Sequence, residues 1–153
     1  MLVGAGPILG EDMLGYFFDS NNTKTVWRYE KGKALLDGDI QAETANYYTL
    51  KSARPIVAVL TDALTASSGE AVAVAFKARK RTRSFGAGTC GVSTSNSPFY
   101  LSDGSVIWLT TAVIADRRQV PYGHSIAPDE SLKPAEVVAR AICWIREEYK
   151  AKK

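Results

Sequence analysis

The stretch Ile56 to Gly86, IVAVLTDALTASSGEAVAVAFKARKRTRSFG, decides the fold. It opens with a continuous apolar run, Ile56 to Leu60, which is typical of a strand buried on both faces of a parallel sheet. Good helix formers follow at 71–76, and Thr82 to Gly86 has the composition of a second strand. Strand, helix and strand make a βαβ unit with a right-handed crossover. We therefore predict a layered α/β fold.

Upstream of this unit the pattern is weaker. Residues 1–15 suggest a short helix ended by Gly10, and the aromatic residues at 16–18 predict the start of a strand. Residues 23–29 alternate well enough to predict an edge strand. The polar segment 30–46 predicts a loop with a second, weak strand.

Downstream, an antiparallel hairpin and a long helix are predicted. The apolar segments 98–101 and 106–112 flank an Asp103-Gly104 pair, which is a strong hairpin signal. Residues 116–119 predict a turn, and 133–149 predict a helix. Its apolar stripe at helical spacing should pack on the core; the stripe consists of Val137, Val138, Ala141, Ile142 and Ile145.

Composition limits the classes of function. The 153 residues suit one domain, with 46% hydrophobic residues and a formal net charge of +3. The basic residues cluster at 77–83 and at the C-terminus without any RNA-binding motif, so we expect no nucleic-acid partner. Cys90 and Cys143 lack a CxxC partner, so neither a zinc site nor a disulfide framework is predicted. No apolar segment approaches the length of about 20 residues that spans a bilayer. We predict no cofactor and no metal.

Within the quoted stretch, Ser67-Ser68-Gly69-Glu70 has two readings. It matches a capping box, in which the Ser67 hydroxyl accepts from the N–H three residues on and Glu70 reaches back. A serine between a buried strand and a helix N-terminus also faces free N–H donors, which would stabilise an oxyanion. A nucleophilic serine further needs a base, which this pattern does not identify.

Four short motifs in order carry a resemblance to a known family. The segment that follows the buried strand, Thr65-Ala66-Ser67-Ser68-Gly69-Glu70, resembles the nucleophile loop of the C-terminal-processing (tail-specific) serine peptidases. The match spans roughly 55–130, about half the chain. The other motifs resemble the family's glycine-containing segment, its L-S-D-G hairpin and its I-x-P-D signature; they are Gly88-Thr89-Cys90-Gly91, Leu101-Ser102-Asp103-Gly104 and Ile126-Ala127-Pro128-Asp129.

The resemblance implies a crotonase-like α/β core and hydrolysis of peptide bonds through an acyl-enzyme. Ser67 would be the nucleophile, and the backbone N–H of Ser68 an oxyanion donor. Glu70 would orient the site or cap the helix. The partners would be peptide or protein substrates, and family habit places the protein outside the cytoplasm.

The chain departs from the family at the base. In the branch that uses a Ser-Lys dyad, the lysine stands where this chain has Val92, so such a dyad is not expected. The branch resembling tricorn protease takes a histidine from far upstream. His124 is the single histidine of this chain and is the candidate base within it.

The start of the chain resembles the sequence that directly follows a D-L-R-G-N-x-G-G strand and loop in these peptidases. We therefore expect residues 1–153 to form one domain, the C-terminal portion of a catalytic domain without its N-terminal strand and loop. The second oxyanion donor and the histidine would lie upstream.

Two alternatives to a peptidase domain stay open. One is a non-catalytic module for hydrophobic ligands or peptides, resembling the interphotoreceptor retinoid-binding proteins. The other is a homodimer formed through an exposed sheet edge.

Overall fold

The computed structural model describes residues 1–52 and 54–151, which form three helices and nine strands. The helices are α1 (Leu2–Leu9), α2 (Ser68–Phe76) and α3 (Pro134–Lys150). The strands are β1 (Asp12–Asp19), β2 (Lys24–Glu30), β3 (Lys33–Leu36), β4 (Asp39–Glu43), β5 (Val57–Thr61), β6 (Thr82–Gly86), β7 (Thr94–Tyr100), β8 (Val106–Ala115) and β9 (Glu130–Ser131).

The predicted βαβ unit is confirmed. Strands β5 and β6 are parallel, with α2 as the crossover, and β9 joins the other side of β6 in parallel. The burial predicted for β5 is wrong: its first three residues are half-buried and Leu60 is 49% exposed. The reason is that β5 pairs only with β6 among the described residues, so it is an edge strand. The central strand is β6, where Phe85 is fully buried.

The second sheet is antiparallel and has the strand order β4-β3-β2-β1-β8-β7. Two predictions fail in it. Residues 23–29 do not form an edge strand, because β2 lies between β1 and β3. Segment 30–46 contains two strands, β3 and β4, instead of a loop and one weak strand. They are joined by Asp37 and Gly38, both at positive φ, which make the two-residue turn of a tight hairpin.

The predicted hairpin of β7 and β8 is confirmed and extends further than its sequence signal, from 94 to 115. The final helix is also confirmed, but its apolar stripe is only partly buried. Ala141 and Trp144 pack with Ile56 and Phe85, whereas Val138 and Ile142 are exposed. Val138 and Ile142 belong to neither core cluster of the described residues.

The N-terminal helix ends as predicted, at Gly10, whose φ is 85° and whose N–H donates to the carbonyl of Gly6. Gly6 itself lies against the ring of Tyr29, where a Cβ would come within 2.0 Å of the ring. This contact joins α1 to β2 in the main core cluster. None of the helices in the described ranges is long and apolar enough to cross a membrane.

Candidate active site

Ser67 precedes α2 in a strained backbone conformation. Its φ is 51° and its ψ is −116°, and its side chain is exposed. A non-glycine residue at positive φ costs of order 1–3 kcal/mol and persists only where its surroundings hold it. The loop before it is held by Asp62, whose carboxylate accepts from the N–H groups of Leu64 and Thr65, each at 3.0 Å.

The predicted capping box is present through its glutamate. The Ser67 N–H donates to Glu70 Oε2 at 2.9 Å. Within the part of the chain that the structure describes, the Ser67 hydroxyl makes no cap hydrogen bond. Ser67 and Glu70 thus stand in the capping-box arrangement, with its hydrogen bond made by the glutamate side chain.

The Glu70 side chain is fully buried and accepts four hydrogen bonds. Oε1 accepts from the hydroxyl of Thr89 and from the N–H of Gly91 at 2.8 Å. Oε2 accepts from the N–H groups of Ser67 and Val92, each at 2.9 Å. Because both oxygens are occupied by donors, this carboxylate is placed to orient the serine loop rather than to take its proton.

The motif Gly88-Thr89-Cys90-Gly91 anchors the site to its neighbours. The Thr89 hydroxyl donates to Glu70 and accepts from the N–H of Ile126 at 2.9 Å. The N–H of Cys90 donates to the carbonyl of Thr65 at 2.9 Å. Three of the four sequence motifs therefore meet around one buried carboxylate. The sequence does not mark Thr89 individually. Its place inside the glycine-containing motif is the one signal that could have identified it.

The backbone N–H of Ser68 stands at the first turn of α2. Among the described residues it donates to no other backbone group, whereas the N–H of Gly69 donates to the carbonyl of Ala66 at 2.8 Å. The first N–H groups of a helix lie at the positive end of its dipole. The Ser68 N–H, one residue after Ser67, thus has no backbone acceptor in the described chain.

Lys77, the lysine next to the other end of α2, is not a partner for Ser67. The helix has nine residues, so its two ends lie about 14 Å apart at 1.5 Å per residue. The Lys77 ammonium donates to Ser84 Oγ at 3.1 Å, to the Ala127 carbonyl at 3.0 Å and to Asp129 Oδ1 at 3.2 Å. All three of its hydrogens are therefore used there.

Asp129, the last residue of the I-x-P-D motif, belongs to the same network as Lys77. Its Oδ2 accepts from both the N–H and the hydroxyl of Ser84, each at 2.7 Å. Burial alone would raise the pKa of Asp129, but the Ser84 hydrogen bonds and the Lys77 charge outweigh it and lower that pKa. This motif ties the end of α2 to β6 and supplies no group to Ser67.

His124 lies in the exposed segment packed beside Gly91. Its carbonyl accepts from Ser93 Oγ at 2.9 Å, and a Cβ on Gly91 would come within 3.0 Å of the N of Ser125. The segment therefore touches the loop that Glu70 holds. Among the described residues the imidazole forms no hydrogen bond with Ser67.

Val92 lies beside the serine loop. Its N–H and that of Ser67 donate to the same oxygen, so the two nitrogens are at most about 6 Å apart. The Val92 side chain is 46% exposed and apolar. The position that holds lysine in the dyad branch is therefore beside Ser67, but here it carries no base. No cluster of metal-ligating side chains occurs in ranges 1–52 and 54–151.

Fold and site together define an α/β domain in which a serine before a helix follows a parallel strand. A family match spanning residues 5–132 makes the assignment specific: the chain belongs to peptidase family S41.

Several known proteins are similar to this chain. It is 28% identical over 151 residues to a nisin-resistance protein of Lactococcus lactis subsp. lactis, covering 98% of this chain and 46% of that protein. A lipoprotein from Streptococcus agalactiae superposes with a TM-score of 0.73 at 27% identity, over 97% of this chain and 49% of that structure. The photosystem II D1 C-terminal processing protease superposes with a TM-score of 0.64 at 26% identity, over 90% of this chain and 33% of that structure. The chain thus spans half or less of the length of each.

Proposed function

We propose that Ser67 is the nucleophile of a serine peptidase. The observation that carries the proposal is the backbone of Ser67, held at φ 51° at the mouth of α2 with the residue exposed. Strained residues held by their surroundings cluster at functional sites. The buried Glu70 supplies that hold through the Ser67 N–H.

In the proposed reaction, Ser67 Oγ attacks the carbonyl carbon of a peptide bond and gives its proton to a base. The oxyanion that forms accepts a hydrogen bond from the Ser68 N–H. The C–N bond then breaks, the amine leaves with a proton from the base, and water hydrolyses the acyl-enzyme. Glu70 acts as a positioning residue throughout, because its oxygens already accept four hydrogen bonds.

We further propose that residues 1–153 form one domain that supplies the nucleophile half of a larger, crotonase-like catalytic domain. Two observations support this. The chain spans half or less of the length of its relatives, and the edge of β5 beside the serine loop is open within the described chain. A strand from the other half would pair with that edge, and its loop would bring a second oxyanion donor and the base. His124 is the second candidate for the base.

The substrates are proposed to be peptides or proteins, met outside the cytoplasm. The support is the family together with the names of two relatives, a lipoprotein and a nisin-resistance protein.

The test is labelling by a fluorophosphonate, which reacts only with activated serines, followed by peptide mapping of the full-length gene product. We expect the label on Ser67 and its loss in Ser67→Ala. The matched control is Ser68→Ala, which keeps the backbone N–H and should still be labelled. A label on Ser68, or none in the full-length product, contradicts the proposal. Retained labelling in His124→Ala would place the base elsewhere.

A second candidate function is a non-catalytic module for hydrophobic ligands or peptides. It is favoured by the β7–β8 hairpin, where Tyr100 and Trp108 are 78% and 66% exposed. Quenching of tryptophan fluorescence by retinol or a fatty acid, with no serine labelling, would support this function. If the hairpin or the β5 edge joins two copies instead, light scattering after size exclusion will give twice the monomer mass.

A further inference from the structure

A large cavity lies on the side of the molecule away from Ser67, beyond the C-terminal end of α2. It has a volume of about 660 Å³ and lies between the end of α1, the start of β1, residues 47–50 and Arg54. We call it the basic cavity, because four cationic side chains line it against two carboxylates. The cations are Arg54, Arg79, Lys80 and Arg117, and the carboxylates are Glu11 and Asp12.

Arg79 is the most buried of these cations, with 7% of its surface exposed. Its Nε donates to the Leu9 carbonyl at 3.2 Å, and its Nη1 donates to two carbonyls and the Thr82 hydroxyl. All of these acceptors are neutral. Its Nη2 is covered from solvent and has no hydrogen-bond partner within the described residues. A buried guanidinium is thus held in place without a counter-charge in contact.

Arg117 repeats this pattern beside it. Its side chain is 12% exposed, its Nη1 contacts Asp12 Oδ2 at 3.2 Å, and its Nη2 is buried without a partner in the described chain. Burial lowers the pKa of both guanidinium groups, and for Arg79 the charge of Arg117 lowers the pKa further. Of the two carboxylates in the lining, Asp12 contacts Arg117, and neither contacts Arg79 in the described chain. Buried charges without pairing are costly, so the cavity wall favours an added anion.

The opposite part of the lining is aromatic. Tyr29, Tyr47 and Tyr48 belong to it, and the buried Tyr29 hydroxyl has no partner among the described residues. Aromatic faces bind flat apolar groups, while guanidinium forks match the planar oxygens of carboxylates and phosphates. The lining therefore combines aromatic rings with cationic side chains.

We propose that the basic cavity binds a small organic anion, a carboxylate or phosphate carried on an apolar group. Arg79 and Arg117 provide the buried positive charge, and Lys80, exposed at the same cavity, adds a third. The site is separate from the serine loop, because the length of α2 lies between them. It stands whether or not Ser67 is a nucleophile.

The experiment is an NMR titration of the ¹⁵N-labelled chain at constant ionic strength with benzoate, benzamide and inorganic phosphate. Benzamide has the shape of benzoate without its charge. We expect saturable amide shifts around residues 9–12 and 78–80 with benzoate, and at least tenfold weaker binding of benzamide. If phosphate displaces benzoate, the cavity is a phosphate site. If phosphate does not displace benzoate, the cavity is a carboxylate site. Equal binding of benzamide, or no saturable shift with either anion, overturns the proposal.

Variants locate the binding. Lys80→Gln removes a cavity charge whose ammonium makes no hydrogen bond in the described chain, so the fold should be unaffected and benzoate affinity should fall about threefold. In a folded Arg117→Gln variant, the benzoate affinity should fall about tenfold or more. The matched control is Lys150→Gln, the same charge change at the exposed end of α3, with unchanged affinity. Equal losses in Lys80→Gln and Lys150→Gln would show a general charge effect and reject the site.

Discussion

The two ends of α2 use their charged groups in opposite ways. At the N-terminal end, the buried Glu70 carboxylate accepts only from neutral donors, one of which is the Ser67 N–H. At the C-terminal end, Lys77 is paired with Asp129 and has donated all its hydrogens. The N-terminal end holds the proposed nucleophile without a cation beside it, and the C-terminal end holds a cation whose donors are all used. The lysine next to α2 therefore serves the fold, whatever the chemistry of Ser67.

This contrast predicts that Glu70→Gln has the largest effect on stability. The amide nitrogen would face two donors where the carboxylate oxygen now accepts, and leaving buried donors unpaired costs about 3 kcal/mol in total. Urea unfolding should show the loss as a lower midpoint. The matched control is Glu136→Gln, the same third helical position on α3, where the exposed carboxylate accepts from the Lys133 N–H at 3.4 Å. Glu136→Gln should change the free energy of unfolding by no more than about 0.5 kcal/mol. Equal losses in the two variants would show that the burial of Glu70 does not determine the cost of its substitution.

At the other end, Asp129→Asn should destabilise the fold by about 1.5 kcal/mol at neutral pH, a figure reduced for the 46% exposure of the carboxylate. The pKa of Asp129 is lowered by folding from its ordinary 3.8. Its stabilising contribution is thus complete above that value and is lost as the pH falls through the folded pKa. Thermal melts between neutral and acid pH should show a smaller acid loss in the variant. An identical pH profile for both proteins would refute the role of this carboxylate.

The strain at Ser67 predicts a smaller difference in stability, between two variants of that residue. Glycine adopts positive φ freely, so Ser67→Gly should be more stable than Ser67→Ala by about 1 kcal/mol. Both variants lack the hydroxyl, which makes alanine the matched control for its loss. Unfolding midpoints that do not differ would mean that the conformation at φ 51° carries no strain.

The smallest effect on stability is expected for Val92→Lys, within about 0.5 kcal/mol, because the side chain is half-exposed. An amine at this position stands beside Ser67, since both backbone N–H groups donate to one Glu70 oxygen. We expect faster fluorophosphonate labelling of Ser67 as the amine takes the proton. Val92→Met has similar length without the amine and should show no change; equal rates in the two variants reject the position as a site for a base.

The strong local patterns of the sequence predict much of the fold. The βαβ unit, the β7–β8 hairpin and α3 each arise from a continuous apolar run, a turn pair or a helical stripe, so nearby residues specify them. The place of β2 inside its sheet depends instead on distant pairing, such as Tyr16 beside Ala115. The β3–β4 hairpin was within reach of the sequence, because Asp37-Gly38 is the same signal as Asp103-Gly104.

In the candidate site too, some features follow from local sequence and others depend on distant contacts. The positions of Ser67 and Glu70 relative to α2 follow from local spacing, and the structure shows both there. The other partners of Glu70 come from 19 to 22 residues further on, and those of Lys77 include a carboxylate 52 residues away. Such contacts depend on how β6 and the loop after it pack, which no local pattern specifies. The role of Ser67 in chemistry, and that of His124, remain predictions for the labelling experiment.

The four bonds at Glu70 also bear on how the protein opens. They join a strand-to-helix loop to residues 89–92, which belong to no strand or helix. Opening either loop alone would leave this buried carboxylate facing too few donors, so the two should open as one cooperative unit. In native-state hydrogen exchange we therefore expect the amides of Gly91 and Val92 to exchange as slowly as those of β6 and together with that of Ser67. A loop protected in this way would give Ser67 a fixed backbone frame.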